Sequence, residues 1–242
     1  MDNKLSKYTL YALGEIILVV IGILIALQIN NANEARKDRA LTNKYLEGFA
    51  RDLSSDRVQL DSLISIRKNQ RRSAKALIRS IELREIDLDS FYYHYYYVFP
   101  FYRFSPNTNT LEEVLNSSQL RLITNENIKN RLLELRSLYT EIRLSEEHVY
   151  EDRTVYLYNE RTLDHIEFNG LSLALNHQSF SESKDAEIYK ADAEYFIKDR
   201  YFKNFLNLLD FNLIYIIPSL ERAQAECDSI IGLIERKLSE QQ

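Results

Sequence analysis

The sequence predicts an all-α protein. One N-terminal transmembrane helix continues into a long stalk helix, and a helical bundle follows. Three observations carry this expectation. Gly and Pro are scarce, 5 and 3 among 242 residues, and a chain with few turn formers makes few turns. A run from Leu10 to Ile29 is apolar apart from Glu15 and Gln28. Beyond it, Leu46, Phe49, Leu53, Leu60 and Leu63 recur at heptad-like spacing, with Asp56 interrupting, a coiled-coil pattern expected to continue self-association along the stalk.

The apolar run sets the first two segments, a short flank at 1–9 and a membrane helix at 10–29. At about 1.5 Å per residue the run is roughly 30 Å long, the thickness of a hydrocarbon core. A buried core helix is seldom apolar on every side for so long. A signal peptide needs a shorter apolar run and a small-x-small cleavage site, which Ala32 and Ala35 supply only in a poor context. An uncleaved anchor is therefore expected. The short amino flank carries Lys4 and Lys7, and long domains cross membranes largely regardless of charge. The amino terminus is thus placed in the cytoplasm, and the domain on the far side of the membrane.

On a helical wheel, Val19, Gly22, Ala26 and Asn33 fall within roughly 40° of Glu15, and Tyr8 joins the same stripe. Gly22 and Ala26 form a small-xxx-small pair, a spacing that lets two backbones approach in lipid. Glu15, Val19, Gly22, Ala26 and Asn33 are accordingly the candidate face for homo-oligomer formation. Ile17, Leu18, Ile21, Leu24 and Ile25 suit lipid on the opposite side. Three roles for Glu15 stay open: packing or snorkelling to the nearby border, handling ions or protons, and pairing with a basic residue of another membrane protein.

Residues 30–85 read as the stalk helix, with Gly48 its one glycine and no proline. Arg67, Lys68, Arg71, Arg72, Lys75 and Arg79 form a basic run, either a solvated face or a contact for lipid headgroups or an acidic partner. Residues 86–124 form an aromatic-rich connector. In its stretch Phe91–Phe104, ten of 14 residues are aromatic. Tyr92, Tyr93, Tyr95, Tyr96 and Tyr97 are the candidate partner or ligand surface; the competing reading is packing within the bundle. Residues 125–242 form the bundle. Asn125 and Asp199 lie 74 residues apart at the head of similar stretches, and both suit helix N-caps. They predict helices from Asn125 to about Arg161 and from Asp199 to about Leu238. Pro218 is expected to kink or divide the second, and Asn169–Ser183 to form a polar loop.

The stretch "YALGEIILVVIGILIALQINNANEARK" resembles the amino-terminal signature of an uncharacterised family of single-pass membrane proteins of the Bacteroidota. Tyr11, Gly14, Glu15, Gln28, Asn30, Asn31, Asn33 and Glu34 carry the likeness, and Ala32 stands where a tryptophan is usual. "NTLEEVLNSSQLRLITNENIKNRLLEL", from Asn109 to Leu135, is similar to the family's middle segment. The resemblance implies an anchored helical protein in the inner membrane and brings no activity.

No enzyme is expected. The sequence has no phosphate-binding Gly loop, no Gly-x-Ser-x-Gly and no HExxH. Cys227 is the one cysteine, so no internal disulfide is available. His94, His148, His165 and His177 stand apart without metal-ligand spacing, and no cofactor is expected. A net charge of −5 gives no bulk attraction to nucleic acid. The expected function is a membrane-anchored, homo-oligomeric scaffold or sensor, whose partners are the bilayer, further copies of itself and another membrane protein. The alternative is a transport component with Glu15 on an ion or proton path.

Overall fold

A computed structural model describes residues 2–166 and 170–240, and side chains from residue 13 onward. The amino flank, with Lys4, Lys7 and Tyr8, has no described side chains. Among the described residues there are helices and turns but no strand. The long opening element is one helix, α1 (Asp2–Leu83), so the apolar segment and the stalk are continuous. After it come α2 (Leu88–Tyr97), α3 (Asn109–Asn116), a 3-10 turn (Gln119–Leu122) and α4 (Glu126–Leu157). Then follow α5 (Glu160–Leu163), α6 (Gly170–Leu175), α7 (Ala186–Lys198) and α8 (Arg200–Ser239).

Three long helices make the core. α8 lies antiparallel to α1, as pairs along the seam show: Arg57 with Asp228 at 3.2 Å, Lys68 with Glu221 at 2.6 Å, and Lys203 with Glu82 at 3.3 Å. α4 flanks α8 on its other side and also runs against it, through Arg131 with Glu226 at 2.9 Å and Asn212 with Asp152 at 2.9 Å. These exposed pairs fix register more than they add stability. Burial does the rest: Leu60, Leu77, Val114, Ile128, Phe202, Leu206, Leu213 and Ile230 are wholly inside. At Gly48 a Cβ would come within 2.8 Å of the Thr110 side chain, so α3 can sit close on α1 only over glycine.

Three sequence expectations change here. The heptad-like leucines do not face another chain. Leu46, Phe49, Leu53, Leu60 and Leu63 are at most 5% exposed, inside this chain's own bundle, so a self-associating stalk is not their role. Fold and stalk begin to merge at Leu41, where the neighbouring Thr42 hydroxyl donates to the Leu122 carbonyl at 3.3 Å, and α8 returns alongside α1 over the stripe beyond. Pro218 does not divide α8, which runs unbroken through it; buried Ile216, Ile217 and Leu220 hold the helix on both sides of the lost N–H. Within the expected loop, whose first residue Asn169 lies outside the described residues, Gly170–Leu175 is helical.

The two matched helix starts behave as their side chains dictate. The Asn125 carboxamide oxygen accepts from the Asn127 and Ile128 N–H groups at 3.0 and 3.2 Å. The Asp199 carboxylate accepts from Tyr201 and Phe202 at 3.0 and 3.3 Å. The first of these helices closes at Leu157, four residues before the expected end.

Candidate functional site

Two regions carry the features a function would use. The first is the apolar part of α1. From Leu13 to Ala40 every residue is exposed. Leu18 is 74% exposed and Leu24 58%, and an exposed apolar surface of this extent marks a site for a partner or a membrane. By length and composition this helix can cross a membrane. Glu15, Val19, Gly22, Ala26 and Asn33 stand on its open surface, and a Cβ placed at Gly22 would meet nothing within 4 Å. All five are thus free to face lipid or another helix.

The second region is a non-helical strap, residues 98–107, drawn across α1 and α4. Its backbone groups are satisfied by side chains. Arg67 Nη2 donates to the Tyr102 carbonyl at 2.7 Å and to Glu146 Oε1 at 3.0 Å. Glu146 Oε2 accepts the Phe104 N–H at 2.9 Å. Gln70 Nε2 donates to the Pro100 carbonyl, and its Oε1 accepts from Arg67 Nη1 at 2.8 Å. Arg153 Nη1 donates to the Phe99 carbonyl at 3.0 Å. Asp56 Oδ1 accepts the Asn107 N–H at 2.7 Å, and Oδ2 accepts the Tyr139 hydroxyl at 2.9 Å. Phe101 lies under the guanidinium groups of Arg67, Arg103 and Arg153, 5.2–5.4 Å from its centroid, a cation–π arrangement.

The clamp is dry. Arg67 and Asp56 are fully buried and Glu146 is 1% exposed. Burial lowers the affinity of Arg67 for its proton, and the Glu146 carboxylate opposes that. Burial likewise pushes the Asp56 carboxyl up, against the pull of the Asn107 N–H and the Tyr139 hydroxyl. Cys227 Sγ lies 3.2 Å from the same hydroxyl, and burial pushes its thiol up to about 11. That cysteine is therefore inert as a nucleophile.

The basic run of α1 divides accordingly. Arg67 is an interior clamp, and Arg71 pairs with Asp210 at 2.8 Å and Lys68 with Glu221, while Arg72, Lys75 and Arg79 are exposed, so half of the run is spent on contacts within the bundle and half is a solvated face. The five tyrosines divide too. Tyr92 and Tyr95 are buried: Tyr92 donates to the Tyr189 carbonyl at 2.9 Å and stacks on Phe180 at 4.6 Å. They belong to the core, which corrects their assignment to a binding surface. Tyr96 is half-buried, and Tyr93 and Tyr97 are exposed; these three reach the outside.

Sequence reasoning did not identify the clamp, though a signal was present. The lines 46-53-60-67-74 and 49-56-63-70-77 of α1 are buried throughout, and Asp56, Arg67 and Gln70 are the polar intruders in them. Among the described residues, no three His, Cys, Asp or Glu side chains come together to hold a metal. His165 pairs with Asp192 at 3.4 Å and stacks on Tyr195, a packing role.

Comparison with curated proteins and with solved structures gave no match for the chain. Residues 15–188 match a family of unknown function, DUF6090, and since they span most of the 242 residues, the protein belongs to that family.

Proposed function

We propose that the protein is a membrane-anchored helical scaffold or sensor of the bacterial inner membrane, with its amino terminus in the cytoplasm and its bundle in the periplasm. One observation carries this reading. α1 is a single helix whose first part is apolar and uncovered, and whose second part is the spine of the bundle. A bilayer is the environment that covers the first part, and the unbroken helix ties it to the core. Self-association through Glu15, Val19, Gly22, Ala26 and Asn33 completes the reading, because their face is open while the heptad stripe is used up inside the chain.

A thiol at Lys184, an exposed position near the far end of the bundle, tests location and orientation together, since buried Cys227 gives no background. Lys184→Cys in intact spheroplasts should react with a membrane-impermeant maleimide. Reaction only after the inner membrane is opened would reverse the orientation. Recovery in the soluble fraction would remove the anchor.

A second reading rests on Glu15, which is the one ionisable side chain between Leu13 and Ile29. In that reading Glu15 lines an ion path. The absence of any polar side chain from Ile16 to Leu27 argues against a continuous wet route along this helix. Proton or cation flux in liposomes, lost in Glu15→Gln, would establish it.

A further inference from the structure

We infer that the recess between α1, the strap and α6 is a binding site for a small, neutral, ring-bearing molecule. It is a cavity of about 310 Å³, at the lower end of the range that holds small ligands and too small for an extended peptide. Tyr96, Tyr97, Pro100 and Tyr102 supply flat walls, and Leu175 and His177 stand at its edge. No Asp, Glu, Lys or Arg lines it. That is a distinguishing feature in a chain with 28% charged residues: the cavity beside α7 carries Arg84, Glu187, Lys190, Glu194 and Lys198, and the one near Tyr201 carries Arg161, Lys198, Asp199 and Arg200. A charged ligand would enter this uncharged recess without a counter-charge, at a desolvation cost. A neutral ring gains contact area and stacking on the tyrosines.

The walls are fixed before any ligand arrives. Gln70, buried behind the cavity, spends its amide on the strap carbonyls and on Arg67. α6 sits against α2 because position 170 is glycine; a Cβ there would collide with the Tyr96 hydroxyl. The end of α6 is also set. The Gln178 N–H donates to the Leu173 carbonyl at 2.9 Å and the His177 N–H to the Ala174 carbonyl at 3.2 Å. His177 takes the left-handed conformation, φ 52, at the position where a helix end usually places glycine. Its ring bonds to no other described residue, so its nitrogens are available to a ligand's hydrogen-bonding group. Leu175 and Tyr102, 71% and 58% exposed, would be covered when the recess fills. The inference is independent of orientation and of self-association.

Benzophenone, a neutral two-ring ketone that inserts into nearby C–H bonds under ultraviolet light, is the probe. The full chain in lipid nanodiscs is illuminated with increasing benzophenone, and adducts are mapped by peptide mass spectrometry. Saturable labelling is expected on peptides holding residues 96–102 and 171–177. Benzyl alcohol should displace it, and benzoate at the same concentration should not. His177→Ala should raise the half-saturating concentration about threefold to tenfold, the equivalent of one hydrogen bond. Ala174→Trp fills the recess and should reduce this labelling about tenfold or more, the weight of at least ~1.4 kcal/mol, while labelling of the apolar helix is unchanged. Leu175→Asp, at an exposed position that the fold tolerates, should act in the same direction if the tryptophan variant loses helicity. Labelling that rises without saturation, or that both fold-competent variants leave unchanged, would overturn the site. Equal displacement by benzyl alcohol and benzoate would overturn the neutral-ligand assignment.

Discussion

Arg67 and Glu146 show how single residues hold this fold. A buried ion pair often contributes little over an apolar pair of the same volume. Here each partner also satisfies a strap backbone group, so apolar replacements would orphan the Tyr102 carbonyl and the Phe104 N–H. Arg67→Met is expected to cost about 3–5 kcal/mol, because it leaves Glu146 charged and unpaired in the interior; urea unfolding followed by circular dichroism measures it. The double change to Met at 67 and 146 should recover only part of that loss. Full recovery would mean that the strap contacts contribute nothing.

Asp89 at the far end of the bundle sets a pH dependence. Despite a burial penalty, its carboxylate is held below the usual range by the Ser181 and Phe180 N–H groups and the hydroxyls of Ser181 and Ser179. A carboxyl lowered in the folded state stabilises above its unfolded value, near about 3.9, and that contribution disappears as pH falls through the folded value. Amide exchange at Phe180 and Ser181, corrected for intrinsic rate, should therefore show protection at about pH 6 that is lost in acid below about pH 4. Asp89→Ala should lack that protection at both.

At the scale of elements, caps and grooves follow from named side chains. Asp199→Ala removes two N-terminal hydrogen bonds of α8 and should lower stability by about 1 kcal/mol or somewhat more, since Asp199 also accepts from Arg161 at 3.1 Å. Asn125→Ala should show the ordinary capping loss alone. Gly22→Leu and Ala26→Leu should weaken self-association, because bulk at a small-xxx-small contact separates the backbones, while Leu24→Ala should do little. Mass photometry of detergent-extracted protein reads the difference, and unchanged mass in both bulky variants would clear this face of an interface.

Much of this level was legible. The caps at Asn125 and Asp199 were readable because capping is local chemistry: one side chain and two amides a few residues on. The apolar segment of α1 was readable as a helix long enough to cross a membrane, because length and composition belong to the sequence itself. The fate of the heptad stripe was not, because a leucine line demands a partner without saying whether the partner is another chain or a later helix of the same one. The clamp was hidden for a related reason. Asp56 reads as an interruption and Arg67 as one of a basic run until the strap, which has no periodicity of its own, is laid over them. The tyrosine run is ambiguous in the same way: α2 turns Tyr92 and Tyr95 inward and Tyr93 and Tyr97 outward, and composition cannot choose between them.

At the scale of the whole molecule, one long helix joins an uncovered apolar segment to the spine of a bundle, and the proposed function puts those two parts in two solvents. The second half of the helix is spine to a bundle with a buried polar clamp and an uncharged recess; in its first half the described side chains, from Leu13 to Ala40, are exposed. No break separates the apolar segment from the part of the helix that bears Asp56, Arg67 and Gln70. The central claim is that residues 13–29 lie in lipid and that α1 leaves the bilayer before the bundle begins at Leu41. A nitroxide scan of α1 from residue 13 to 45 in liposomes, reading collision with oxygen and with a water-soluble nickel chelate, tests it most directly. The account predicts high oxygen and low nickel accessibility at Leu18, Ile21, Leu24 and Ile25, reduced access to both reagents at Gly22 and Ala26, and nickel access from Glu34 to Arg39. High nickel accessibility throughout 13–29 would contradict it.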